Sequence, residues 1–287
     1  MTTASYIPCF QSIFSFVTFA AMRQDFPVEP LNNALVLKGK SSDLKIYYGT
    51  TNWRKPEWIG KLYSVGTRES TYLSEYSKHF NGIEMSVTHY KYYQRSSIEK
   101  WAAKTADKDF VFCPKFPQSI SHLSPFHDID DKTSWFLDGI AGFEKQLGPI
   151  YLTLTDEFKL KPTRKEKLFT YMKSLPIDLQ FFLELRHKDW FDEDYEDTLK
   201  FLRDHNIGLL ILDHPVWPLH LDLTVPKCFI RYFPSEDFSR LDKWFAKIKE
   251  WEARGLKEAY LFVATNDGGA IEQMEHALYF KSLVDKV

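Results

Sequence analysis

"FFLELRHKDWF", residues 181–191, is the stretch on which the fold turns. Phe181, Phe182, Leu183 and Leu185 read as a buried strand, yet Glu184 and Arg186 stand two apart within it. Residues i and i+2 of a strand project from the same face, so both charges point one way while Leu183 and Leu185 point the other. On a sheet with one wet face this costs little. In a strand covered on both faces an unpaired buried charge costs several kcal/mol, so the surrounding architecture decides what the two charges do.

Working outward, strand-like runs recur at residues 44–50, 82–87, 109–115, 149–154, 180–186, 207–213, 228–233 and 259–265. Helix-length amphipathic stretches lie between most of them, among them 67–80, 132–147 and 238–255, the last ending on Gly255. Alternating strands and helices imply a parallel sheet. Eight such units in about 240 residues match the count and length of a closed (β/α)₈ TIM-type barrel. One unit is irregular: "HPVWPLHLDLTVPK", 214–227, carries three prolines and reads as a loop where a sixth helix would stand. Residues 44–287 are therefore expected to form a single α/β barrel domain, with residues 1–43 an N-terminal extension outside it.

Composition narrows the function classes. A chain of 287 residues with 44% hydrophobic and 16% aromatic content can bury one large core. With 37 basic and 39 acidic residues the net charge is −2, which gives no support to nucleic acid as a partner. Cys9, Cys113 and Cys228 are odd in number and lack CxxC spacing, which argues against a disulfide framework and for a reduced, cytoplasmic chain. The apolar run 12–21 has signal-peptide length, but no Lys or Arg precedes it and it is too short to span a bilayer, so no membrane partner is expected. The oligomeric state is left open.

Within a barrel, the charged parity of "LELR" is the interior, towards the C-terminal rim where barrel enzymes place their chemistry. The same parity test puts Glu84, Lys115 and Arg231 at or near the ends of other strands, and Asp213, Asn266 and Asp267 follow the sixth and eighth apolar runs. At this point the chain resembles the YecE-like family, the domain of unknown function 72. The resemblance rests on "YYGTTNW" with Trp58, "FNGIEMSVTHY", "DFVFCPKFPQSISH", "LELRHKDWF", "ILD", "IRY" and "ATND", in that order, and runs from about residue 46 to 284. It implies a TIM-type barrel and no established activity. His89, Tyr93, Phe233 and His276 depart from the family pattern, which bears on loop shape and substrate detail.

The chemistry has to come from the groups themselves. Glu84 and Glu184 could act as a catalytic acid and base, as hydrolysis of a glycosidic or related bond requires, with His122 as a donor or proton shuttle. Lys115, Arg186 and Arg231 supply more positive charge than two carboxylates need. They favour a substrate bearing a phosphoryl or carboxylate group, small or polymeric, held by Arg186 and Arg231 as two-point clamps. Tyr90, Trp190, Asp213, Asn266 and Asp267 complete the expected binding set. The expected reaction is acid–base cleavage or transfer at the barrel mouth. Two alternatives stand beside it: a non-catalytic module binding an anion or a nucleic-acid end, and a hydrolase with a divalent metal on Glu84, Glu184, Asp213, His122 and Asp267. No tight metal-ligand spacing or other cofactor motif is present. A neutral interior network, pairing Glu184 with Lys115 and Glu84 with Arg186, is the bland counterpart of all three.

Overall fold

The computed structural model describes residues 25–40, 43–123, 125–265 and 269–286. Nine strands occur among them: β1 (Lys45–Thr50), β2 (Gly82–Met85), β3 (Val111–Pro114), β4 (Ile150–Thr153), β5 (Phe181–Glu184), β6 (Gly208–Leu209), β7 (Ile211–Asp213), β8 (Lys227–Tyr232) and β9 (Glu258–Val263). Every pairing is parallel, as the strand–helix alternation requires. The expected single closed sheet is not what the hydrogen bonds form. They build three sheets, ordered β1-β9-β8-β7, β2-β3 and β4-β5-β6.

The breaks have local causes. Between β1 and β2, side chains take the place of a backbone ladder. The Asn81 amide accepts from Tyr48 N and donates to Ile46 O, both at 2.8 Å. The Tyr76 hydroxyl accepts from Thr50 N at 2.7 Å and donates to Gly82 O at 3.0 Å. The approach is so close that a Cβ on Gly49 would lie 2.2 Å from Gly82 O. Between β3 and β4 only isolated contacts remain, among them Gly148 N to Phe112 O at 2.8 Å and Phe116 N to Tyr151 O at 2.9 Å. The run 207–213 divides at Leu210, because β6 pairs with β5 whereas β7 pairs with β8.

Side-chain parity sorts the core into two layers. Phe181, Leu183 and Leu185 join the large outer cluster with the helices, and so do Cys228, Ile230 and Tyr232 of β8. The opposite parity supplies an inner cluster in which Tyr47, Val111, Cys113, Tyr151, Phe182, Phe229, Tyr260 and Phe262 meet, drawn from all three sheets. Glu184 shares the inner parity of Phe182, which settles its direction. Gly208 is required here, since a Cβ on it would sit 2.1 Å from the Phe182 ring.

Two connections bear on the expectations. No helix forms in residues 214–226, in keeping with the three prolines. The helix Ser239–Glu252 ends at Gly255, whose φ of +113° suits glycine, and a Cβ there would press on the Lys38 backbone. The described part of the N-terminal extension is docked on this region. Buried Asn33 donates to Leu221 O at 2.8 Å and accepts from Leu223 N at 2.7 Å. Phe26 packs edge-on against Trp244 at 4.6 Å, and Glu29 bonds Arg254 at 2.7 Å. Residues 25–40 therefore lie outside the strands yet belong to the packed unit. The apolar run 12–21 and Cys9 lie outside the described residues. No helix among the described residues is long and apolar enough to cross a membrane.

Candidate active site at the C-terminal ends of the strands

The inner parity ends, at the C-terminal ends of the strands, in a layer of charge. Glu84 on β2 and Glu184 on β5 are both fully buried. A single guanidinium joins them: Arg231 Nε donates to Glu84 Oε2 at 2.7 Å and Nη1 to Glu184 Oε2 at 2.8 Å. The remaining carboxylate oxygens are also occupied. Tyr151 Oη donates to Glu84 Oε1 at 2.5 Å and Ser86 Oγ to the same atom at 3.1 Å. Arg186 Nε donates to Glu184 Oε1 at 2.6 Å, and Thr153 Oγ1 to Glu184 Oε2 at 3.2 Å. Burial alone would raise the Glu184 carboxyl, but Arg186, Arg231 and Lys115 together hold it well below the usual carboxylate range. Burial would likewise strip the proton from Arg231, and the two glutamates more than reverse that. Glu184 is thus an ionised acceptor, poorly suited to donate a proton near neutral pH.

Lys115 differs from the arginines. It follows β3, and its peptide group is clasped by Thr88, with N–H donating to Oγ1 at 3.0 Å and the carbonyl accepting from Oγ1 at 2.7 Å. Its side chain is 8% exposed, and Nζ lies 5.8 Å from the centre of the Tyr151 ring. Among the described residues the ammonium makes no hydrogen bond and no ion pair. Burial, followed by the repulsion of Arg231, lowers its pKa to about 8, with Glu184 opposing and Arg186 adding to the drop.

Above this layer opens a cavity of about 700 Å³, lined among others by Lys115, Arg186, Arg231, His89, His122 and Tyr90. Arg186 spends Nε on Glu184 and stacks its guanidinium 5.0 Å from the Trp217 ring, and its two Nη groups bond no protein atom among the described residues. The imidazoles of His89 and His122 meet edge to face at 4.6 Å. Burial first, then the nearby Lys115, lowers His89 to about 3 and His122 to about 4, so both are neutral at pH 7. His89 Nδ1 bonds Phe116 O at 2.7 Å, which makes Nδ1 the protonated nitrogen and leaves Nε2 as the acceptor.

Of the residues expected at the site, Glu84, Glu184, His122, Lys115, Arg186, Arg231 and the exposed Tyr90 are brought together. Two are not. Trp190 is fully buried, donates its indole N–H to Phe158 O at 2.9 Å and is core. Asp213 has outward parity, and both its oxygens bond Arg240 and one also bonds Trp244, at distances of 2.6–3.1 Å. Asn266 and Asp267 lie outside the described residues. Tyr151 and Thr153 were not expected here. They share the inner parity of β4, and a parity test confined to charged residues passes over them. Among the described residues no group of three or more His, Cys, Asp or Glu side chains gathers to hold a metal. With Glu84 and Glu184 bound to Arg231, and Asp213 to Arg240, the described members of that donor set do not fit a divalent ion, and Asp267 lies outside the described residues.

Comparison with known proteins agrees with the resemblance. The family described as "Protein of unknown function DUF72" matches residues 47–286. The chain belongs to the DUF72 family. It is 28% identical over 260 residues to UPF0759 protein YecE of Escherichia coli (strain K12), covering 82% of this chain and 91% of that one. The crystal structure of a DUF72 family protein from Thermotoga maritima is similar with a TM-score of 0.67 at 23% identity, over 84% of this chain and 99% of that one. A D-psicose 3-epimerase from Clostridium cellulolyticum H10 shares the fold more distantly, with a TM-score of 0.55 at 11% identity over 84% of this chain and 97% of that one. These likenesses carry a parallel α/β fold to this DUF72 chain and no specific activity.

Proposed function

We propose that the three sheets act as one TIM-type barrel and that its mouth binds a small anionic substrate, carrying a phosphoryl or carboxylate group, for acid–base chemistry. What supports the barrel reading is the inner cluster shared by all three sheets and the seams closed by Asn81 and Tyr76. The single observation behind the site reading is the Lys115 ammonium, held in the cavity wall beside Arg186 with no hydrogen bond or ion pair of its own among the described residues. An anion seated between them would supply that charge, and the open Nη edge of Arg186 offers the planar two-point contact suited to carboxylate and phosphate. In this reading Glu84 and Glu184 are positioning residues that fix both arginines. Proton transfer falls to Lys115, whose ammonium can lose a proton near working pH, while neutral His122 lines the same cavity as a hydrogen-bonding group.

The locked carboxylates favour a second reading, a non-catalytic anion receptor. Both readings require that sulfate or phosphate stabilise the protein, by roughly 2.7 kcal/mol at a hundredfold excess over the dissociation constant. Arg186→Met should abolish the thermal shift and Arg186→Lys should restore little of it. Absence of any shift in the wild-type protein would sink both readings. Conversion of a bound anion by wild type but not by Lys115→Met distinguishes the first from the second.

A further inference from the structure

We infer that Lys115 is an imine-forming lysine, and that the anionic substrate of the mouth carries a carbonyl carbon placed at its Nζ, as in a 2-oxo acid or a keto-sugar phosphate. The inference rests on the proposed anion site and adds the reacting bond to it. Three features of geometry support it. First, no carboxylate pairs with the amine among the described residues: Glu84 and Glu184 are each turned onto Arg231, with distances of 2.7 and 2.8 Å, and the other lysine of the cavity wall, Lys55, is likewise unpaired but only half-buried. Second, the lysine is fixed at its backbone by Thr88, is nearly buried, and holds Nζ over the Tyr151 ring at 5.8 Å in the cavity wall. Third, Arg186 stands in the same wall with its Nη edge open, so a carboxylate or phosphate docked there brings a neighbouring carbonyl towards the amine.

The groups facing Lys115 from each packed element are Glu84 from β2, Tyr151 from β4, Glu184 from β5, Arg186 from the segment after β5, Arg231 from β8, and the rings of His89 and His122. Burial first, and then the two guanidiniums, disfavour the ammonium against the opposing pull of the glutamates and leave a fraction of free amine near neutral pH, the condition that such chemistry needs. The step balances without a further reagent. The neutral amine adds to the carbonyl carbon as the C=O π bond opens, giving a carbinolamine. Loss of its oxygen as water leaves a C=N bond, so that ammonium plus carbonyl become iminium plus water, both transferred protons ending on the departing oxygen. The imidazoles of His89 and His122 line the same cavity as neutral hydrogen-bonding groups, and the protons exchange with solvent through its open mouth.

The test is reductive trapping of the full chain. Pyruvate and dihydroxyacetone phosphate serve as carbonyl probes with sodium cyanoborohydride, and the adduct is located by peptide mass mapping. L-lactate and glycerol 3-phosphate, which carry the same charges without the carbonyl, are followed by thermal shift and as competitors. The expected result is an adduct on Lys115 formed roughly tenfold or more faster than on any other lysine at pH 7, because its amine is free at lower pH. Labelling should weaken in Arg186→Met and with added glycerol 3-phosphate. If lactate or glycerol 3-phosphate stabilises the protein but neither carbonyl probe labels Lys115, the imine is wrong and the anion site stands. If nothing stabilises it and labelling is spread evenly over Lys55 and the surface lysines, both fall. The mapping is done on the wild-type protein, so the outcome does not hang on a variant that fails to fold.

Discussion

Arg231 reaches from β8 to Glu184 on β5, with Nη1 2.8 Å from Oε2 in a fully buried setting. The same guanidinium holds Glu84 on β2, so one side chain ties together strands that belong to three different sheets. The network thereby does for the inner charge layer what Asn81 and Tyr76 do for the backbone at the β1–β2 seam. It also answers why "LELR" can carry charge inside a covered strand: Glu184 receives donors from Arg231, Arg186 and Thr153.

Arg231→Met should therefore be the most damaging change in the layer. It leaves two buried carboxylates short of their shared cation, and breaking a buried pair from one side typically costs about 3–5 kcal/mol. Denaturant titration should show that loss, and the double variant Glu84→Gln with Arg231→Met should recover part of it. A cost below about 1 kcal/mol would mean that the bridge contributes nothing to holding the strands.

Acid should unfold the protein from a higher pH than carboxylates alone require. His89 and His122 titrate at about 3 and 4 in the folded protein, against about 6.5 in the unfolded chain. Between those values the unfolded chain binds more protons, so stability falls as pH drops below about 6.5. Glu184 adds a loss of the same sign lower down: its folded pKa is depressed, so its contribution is intact above the ordinary Glu value of about 4.3 and declines below it. Melts from pH 7 to 4 should show the first part of this decline, reduced in His89→Gln.

The seams make a separate prediction. Tyr76→Phe removes the hydroxyl that satisfies Thr50 N and Gly82 O, and Asn33→Ala removes the amide that satisfies Leu221 O and Leu223 N. Each leaves buried backbone groups unpaired, at about 1–3 kcal/mol per group. Deleting residues 1–40 should destabilise by at least as much as Asn33→Ala, measured by thermal melts against a deletion of residues 1–24.

Much of this was legible in the sequence, for reasons that differ by residue. The period of two placed Phe182, Glu184 and Arg186 on one face, and strand–helix alternation fixed parallel pairing, because both are local rules. The sheet breaks were not legible. That β6 pairs with β5 and β7 with β8 depends on partners distant in the chain, and nothing at Leu210 marks the change. Asp213 shows the limit of reading strand ends: position suggested the mouth, but its parity turns it to Arg240 and Trp244 on the outer helix. The pairing of Glu184 with Lys115 and of Glu84 with Arg186 does not form: Arg231 takes both glutamates and Arg186 takes Glu184, a choice of partners across the three sheets that no local rule in the sequence reveals.

Lys115→Met carries the last prediction. The folded-state pKa of about 8 lies below the value of about 10.4 for an unfolded lysine, so the charged form is disfavoured by folding. Below about pH 8 both states carry the proton and the folded protein bears the full cost, about 3 kcal/mol for a shift of this size. Between about 8 and 10.4 the unfolded chain keeps a proton that the folded protein has released, and stability rises with pH. Methionine removes the charge and keeps an unbranched apolar side chain at this nearly buried position. The variant should be more stable than wild type at pH 7 by about 1–3 kcal/mol, and the gap should close as pH approaches 10. Denaturant melts of both proteins at pH 7, 8.5 and 10 check this. A variant less stable than wild type at pH 7, or a gap that does not change with pH, would show that Lys115 is already neutralised by its surroundings and is not held in reserve for an anion.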